Sequence, residues 1–79
     1  MNTVLAQILG DILSVDRPLD GSESLSTLGL DSLSVIRLVV KIEEDLHVRF
    51  PEEALQASTF STVNSLSAVV FDLVQEKDI

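Results

Sequence analysis

Apolar residues return at helical spacing in three separate stretches of this 79-residue sequence, and no stretch alternates long enough to compete as a strand. From residue 2 to 16, Val4, Leu5, Ile8, Leu9, Ile12 and Leu13 fall on one face of a helix. Gly10 lies inside that helix at a cost of about 1 kcal/mol relative to Ala, which marks a place where another backbone comes close. Residues 31–46 form a second helix with Asp31 as its expected N-cap and a core stripe of Val35, Val39, Ile42 and Leu46. Its polar stripe, Ser34, Arg37, Lys41, Glu44 and Asp45, is narrow. Leu33, Ile36, Leu38 and Val40 widen the apolar side beyond what one neighbour covers, so either several helices surround this one or some apolar residues are exposed. A last helix over 61–75, capped by Ser61 or Thr62, turns Val63, Leu66, Val69, Val70, Leu73 and Val74 to one side, and the tail 75–79 is expected to fray.

Between these stretches the chain is punctuated. Residues 17–30 hold Pro18, Gly21, Gly29 and four hydroxyl residues, which predicts a long loop anchored by Leu19, Leu25 and Leu28. A calcium loop opening at Asp16 fails on spacing, because Pro18 takes a ligand position and Thr27 stands where the bidentate Glu belongs. Phe50 is turned away from helix by Pro51, leaving 52–57 room for a short helix with two acids in its first turn. The expectation is one all-helical domain over 1–79.

Composition narrows the function. The absence of cysteine removes disulfides, zinc thiolates and thiol nucleophiles together, so any thiol chemistry must be imported. Thirteen acids against five bases give a formal charge of −8, which repels nucleic acid and anionic membrane surfaces and steers toward basic partners, although charge by itself is explained as well by solubility. No apolar run approaches bilayer length and no signal-peptide pattern is present, which points to a cytoplasmic monomer.

Few residues could carry chemistry. His47, at the end of the second helix, suits a capping role there and lies about four helical turns from the nearest candidate nucleophile. Glu43, Glu44 and Asp45 diverge around the helix and occupy its last turn, where the macrodipole disfavours negative charge by about 0.3–1 kcal/mol each. Local stability does not account for them; a basic partner explains them better, with solubility as the alternative. The distinctive residue is Ser32, a hydroxyl in the first turn of a helix, directly after the approach Leu28-Gly29-Leu30. Backbone N–H groups at a helix start accommodate phosphate, and the loop leaves the hydroxyl within reach of another protein. In isolation Asp31-Ser32-Leu33 is also an ordinary helix start.

The segment Leu28-Gly29-Leu30-Asp31-Ser32-Leu33 resembles the attachment motif of the acyl and peptidyl carrier protein family. Length, acidity, helix order, the long first loop and the run Phe60-Ser61-Thr62-Val63 followed by Leu66 resemble the same family over nearly the whole chain. The resemblance implies an all-α four-helix bundle with three main helices and a short third helix. It implies a 4'-phosphopantetheine arm joined to Ser32 by a phosphopantetheinyl transferase that draws on coenzyme A, with the carrier as substrate rather than enzyme. Acyl or aminoacyl cargo would ride the arm as thioesters, supplied by an acyltransferase or adenylating enzyme and used by a ketosynthase or condensation enzyme. Carried over by position, Asp31 is recognised with the serine during loading. Leu33, Ile36 and Val40 match partner contacts on the second helix, and Glu43 and Glu44 match its acidic recognition face. Core packing competes with that role for Ile36 above all, whereas Leu33 and Val40 flank the polar stripe and are expected at an exposed interface.

Arg37 and Lys41 depart from carriers of fatty acid synthases, which usually present an acid and a small or neutral residue there. Two cations weaken attraction to generic basic docking patches and repel housekeeping enzymes by like charge. The departure points to a carrier of a specialised polyketide or nonribosomal-peptide pathway. The alternatives are a fatty acid synthase carrier and an unmodified acidic helical adaptor.

Overall fold

The computed structural model describes residues 3–76. They form three α-helices, α1 (Thr3–Leu13), α2 (Ser32–Leu46) and α3 (Val63–Glu76), with one 3-10 turn at Glu52–Ala54. The fold is all-helical, as expected. No strand occurs among the described residues; a lone antiparallel bridge joins Ser24 to Thr62.

α1 turns Leu5, Ile8 and Leu9 inward and packs against α2. It stops three residues short of the expected end at Asp16, and the expected first residue, Asn2, lies outside the described residues. The stop is a left-handed residue, Ser14 at φ 56°, after which the Val15 N–H returns to the Gly10 carbonyl at 2.9 Å. Gly10 is therefore a place of close approach: a Cβ built there would sit 3.0 Å from the Val15 carbonyl oxygen. The approaching backbone is the chain's own, five residues on.

The loop after α1 lies against the start of α3. The N–H groups of Val63 and Asn64, which have no partner within their own helix, donate to the carbonyls of Glu23 (3.1 Å) and Gly21 (2.8 Å). In return Leu25, fully buried, donates its N–H to the Ser61 carbonyl at 3.0 Å. Thr62 and Ser65 close the cap reciprocally, Ser65 N–H to Thr62 Oγ1 and Thr62 N–H to Ser65 Oγ. Outside, Arg17 grips both oxygens of Glu23, whose carboxylate also accepts the Asp20 N–H at 2.7 Å. The Arg17 side chain first, and the Asp20 N–H second, hold the Glu23 carboxyl below its ordinary range.

On α2 the inward arc is centred on Leu38 and Ile42, both fully buried, while Val35, Val39 and Leu46 are only half-buried. Leu38 thus belongs to the core and not to the surplus apolar side, a rotation toward Leu38 of the stripe read from the sequence. The short third element is also smaller than the helix expected over 52–57, because only Glu52–Ala54 completes a turn before Leu55 leaves helical backbone at ψ 66°. α3 begins after its Thr62 cap and holds Gln75 and Glu76, where fraying was expected; residues 77–79 lie outside the described set.

A non-glycine residue in the left-handed region carries a steric penalty that glycine does not. Ser14→Gly should therefore stabilise the fold by about 0.5–1 kcal/mol. Thermal unfolding followed by circular dichroism should show a midpoint a few degrees higher, at roughly 4–8 °C per kcal/mol for a domain of this size.

Candidate functional site

Ser32 is the first residue of α2, and its side chain is exposed and makes no hydrogen bond among the described residues. The approach is built to leave it so. Gly29 takes φ +107°, a conformation costly for other residues, and Leu30 returns its N–H to the Leu25 carbonyl at 2.9 Å, tying the end of the loop to a buried anchor. Asp31 stays extended (φ −125°, ψ −178°) and its carboxylate accepts the Ser34 N–H at 2.8 Å, capping the helix as the sequence predicts. That backbone bond, with a smaller part from the Ser34 hydroxyl, keeps the Asp31 carboxyl below its ordinary range and hence ionised beside Ser32.

One wall of Ser32 opens on a cleft of about 310 Å³ lined by Val35 of α2 and by Leu55, Gln56, Ala57 and Phe60. Beyond Ser32, α2 presents an exposed apolar ridge of Leu33 (69% exposed), Ile36 (62%) and Val40 (48%). Core packing of Ile36, the competing reading of the sequence, does not occur. Arg37 and Lys41 flank the ridge and, with Ile36, Val40 and Glu44, line a groove of about 430 Å³ against Ile8, Asp11 and Ile12 of α1. Lys41 pairs with Asp45 one turn on at 3.4 Å, whereas Arg37 has no ion pair among the described residues. An exposed pair of this kind contributes little, about 0–1 kcal/mol.

Residues 3–70 match the family model described as phosphopantetheine attachment site. The chain belongs to this carrier protein family. It is 32% identical over 65 residues to acyl carrier protein 4, chloroplastic, of Arabidopsis thaliana, a match covering 82% of this chain and 46% of that protein. It is 37% identical over 73 residues to orsellinic acid synthase ArmB of Armillaria ostoyae, covering 91% of this chain and 3% of that protein. The chain thus spans about half of the first relative and a small piece of the second. Among solved structures it resembles a holo acyl carrier protein of Nitrosomonas europaea, with a TM-score of 0.79, 28% identity, and coverage of 90% of this chain and 92% of that one.

Carriers of this family hold a covalently attached phosphopantetheine. The residues present fit such a group: an unencumbered hydroxyl at a helix start, an adjacent ionised cap that keeps the helix in register, and an apolar cleft into which a tethered chain can fall. Among the described residues nothing pairs Ser32 with a base. His47 is the left-handed C-cap of α2 (φ 56°, ψ 47°), a helix length of about 22 Å from Ser32 at ~1.5 Å per residue. Its place at the helix end is the capping position read from the sequence. Among the described residues no group of His, Cys, Asp or Glu is placed to hold a metal.

Glu43 departs from the expected carrier face. It is half-buried, and its carboxylate accepts the Phe50 N–H at 2.8 Å, clamping the segment that follows α2 back onto the helix. Local structure therefore does account for an acid in this unfavourable last turn, and Glu44 is left as the exposed acid beside the ridge. The sequence also hid the wall of the Ser32 cleft. Leu55 and Gln56 follow a single 3-10 turn, too short for any hydrophobic period to show which side they face.

Truncating the clamp leaves a partly buried N–H unpaired. Glu43→Ala should cost about 1–2 kcal/mol of stability, whereas Glu44→Ala should stay within about 0.5 kcal/mol. Urea unfolding of the two variants side by side measures the difference.

Proposed function

We propose that Ser32 is the phosphopantetheine attachment point and that the protein carries acyl or aminoacyl intermediates as thioesters for a polyketide or nonribosomal-peptide pathway. The observation that supports this most is the free Ser32 hydroxyl, held at the start of α2 between an apolar cleft and an exposed apolar ridge. The chain performs no chemistry alone. In loading, the Ser32 oxygen forms a bond to phosphorus of coenzyme A, the phosphoanhydride bond breaks, and adenosine bisphosphate leaves. The hydroxyl proton passes to a base of the transferase, which also supplies the metal. Asp31 orients this step by holding the first turn of α2 rigid through Ser34, so that the hydroxyl is offered at one position.

When attached, the arm supplies the thiol that a cysteine-free chain lacks. α2 then serves as the handle. Leu33, Ile36 and Val40 give a docking enzyme a narrow apolar contact, and Arg37, Lys41 and Glu44 set which charges it must present. Tethering keeps cargo at high effective concentration while the contact stays small enough to release. The partners of this reading are the transferase, a loading acyltransferase or adenylating enzyme, and a ketosynthase or condensation enzyme.

Arg37 and Lys41 favour the specialised pathway over a fatty acid synthase, because both line the groove beside the ridge and Arg37 has no ion pair among the described residues. Like charges across a docking face are costly.

Intact-mass spectrometry after incubation with coenzyme A and a broad-range transferase tests the attachment. Wild type should gain one phosphopantetheine and Ser32→Ala none; an unmodified wild type, as an unmodified helical adaptor would give, sinks the carrier reading. For the pathway, Arg37→Glu should raise kcat/KM with a housekeeping ketosynthase several-fold and lower it with the native condensing partner. Equal rates with both would show that position 37 does not select.

A further inference from the structure

We propose that α1 supplies one wall of a docking groove, and that the groove between α1 and α2 receives an apolar side chain of the condensing enzyme flanked by a carboxylate and a cation. The identity of the partner rests on the carrier reading, and the chemistry of the occupant comes from the groove itself. Half of its lining is apolar and half is charged. Ile8 and Ile12 come from α1, Ile36 and Val40 from α2. Ile8 is buried, Ile12 half-buried, and Ile36 and Val40 largely exposed, so the apolar surface rises from a floor on α1 to the ridge on α2.

The charges say what else must come with an apolar side chain. A uniformly basic patch, the kind that a chain of formal charge −8 attracts from a distance, meets Arg37 and Lys41 here. A uniformly acidic patch meets Asp11 and Glu44. A groove of mixed sign therefore rejects both and accepts a segment that carries both signs in the right order. Most of that charge is unused in the free protein. Lys41 pairs with Asp45, but Asp11 and Arg37, which line the groove from opposite helices, form no ion pair with each other or with any other described residue, and Glu44 has none either. All three are exposed, so an incoming pair of charges displaces little bound structure and gains register and encounter rate more than affinity.

An apolar centre with a charged rim is the anatomy of a protein contact. The groove is also continuous with the ridge, since Ile36 and Val40 belong to both, and an enzyme seated on the ridge already covers its mouth. The two walls are preformed: α1 packs against α2, and Leu5, Ile8 and Leu9 fix α1 in the core. Arg37 and Glu44 stand about 7.5 and 18 Å along the helix axis from Ser32 at ~1.5 Å per residue, so a segment lying in the groove leaves the serine and its arm free to reach an active site. Asp11 and Ile12 thus join α2 as specificity-determining residues.

Two measurements test this. In the first, each variant is converted to the phosphopantetheine adduct, checked by intact mass, and assayed with the native condensing enzyme. Asp11→Lys should lower kcat/KM about fivefold to tenfold through KM with kcat unchanged, the effect of reversing one exposed charge in a contact. Asp11→Glu, which keeps the charge, should stay within about twofold. The pair Thr3→Lys with Gln7→Lys, exposed on α1 outside the groove, changes the net charge as much as Asp11→Lys does. An equal loss in that pair would show a general charge effect and overturn the role of Asp11. In the second, the isotope-labelled, unmodified chain is titrated with the unlabelled enzyme and its amide NMR shifts are followed. Asp11 and Ile12 should move together with Ile36 and Val40. Shifts confined to α2 would overturn the groove, as would shifts at Asp11 and Ile12 that follow the concentration of the carrier alone and so report a second copy. This titration needs no adduct, so the groove can fail while the attachment at Ser32 holds, and an unmodified wild type sinks the attachment without deciding the groove for it.

Discussion

The N–H groups at the start of α3 have no partners in their own helix, and the long loop supplies them. Through Glu23 and Gly21 the loop caps Val63 and Asn64, and through Leu25 it takes the Ser61 carbonyl in return. Eighteen residues between α1 and α2 (14–31) are costly to order by conformational entropy alone, and this exchange, with Leu25 fully buried, is what holds them to one path. The path matters because Leu30 hangs from Leu25 by its N–H, and Asp31 and Ser32 follow directly. The position of the serine is thus set at the far end of the sequence, by the beginning of the last helix. Gly21 lies against the Asn64 side chain, so a Cβ there would require that carboxamide to move.

A second constraint shapes the exposed face of α2. A helix near the middle of a small bundle can bury only part of its circumference, and α2 is apolar around more of it than its neighbours cover. The buried arc is spent on Leu38 and Ile42, so Leu33, Ile36 and Val40 stay outside. The chain around this ridge carries a formal charge of −8, which opposes the approach of a second copy. The same charge allows an apolar contact to be specific without being sticky.

What the sequence made legible follows from periodicity and from caps. The three main helices, the Asp31 cap, the loop with its Leu25 anchor and the exposure of Ser32 could all be read, since 3.6-residue spacing and helix-start chemistry are local signals. The misreadings came where the answer lay in a neighbour. Val35, Val39 and Leu46 have the same period as Leu38 and Ile42, and only the placement of α1 decides which of them is innermost. The end of α1 depended on a left-handed serine, a conformation more often met in glycine or asparagine. Glu43 looked like a surface acid because its partner is a backbone N–H seven residues away, and a main-chain donor leaves no mark on residue identity.

That last bond alters how experiments on α2 should be interpreted. An alanine scan scored by enzyme turnover that found Glu43 sensitive would invite crediting it with recognition. At Glu43 the lost turnover would instead report a slackened Phe50 and, through the Phe50–Phe60 stack, a deformed pocket next to Ser32. Adjacent carboxylates of the same chemistry thus stand in different settings, one exposed to solvent and the other bonded inward to the main chain.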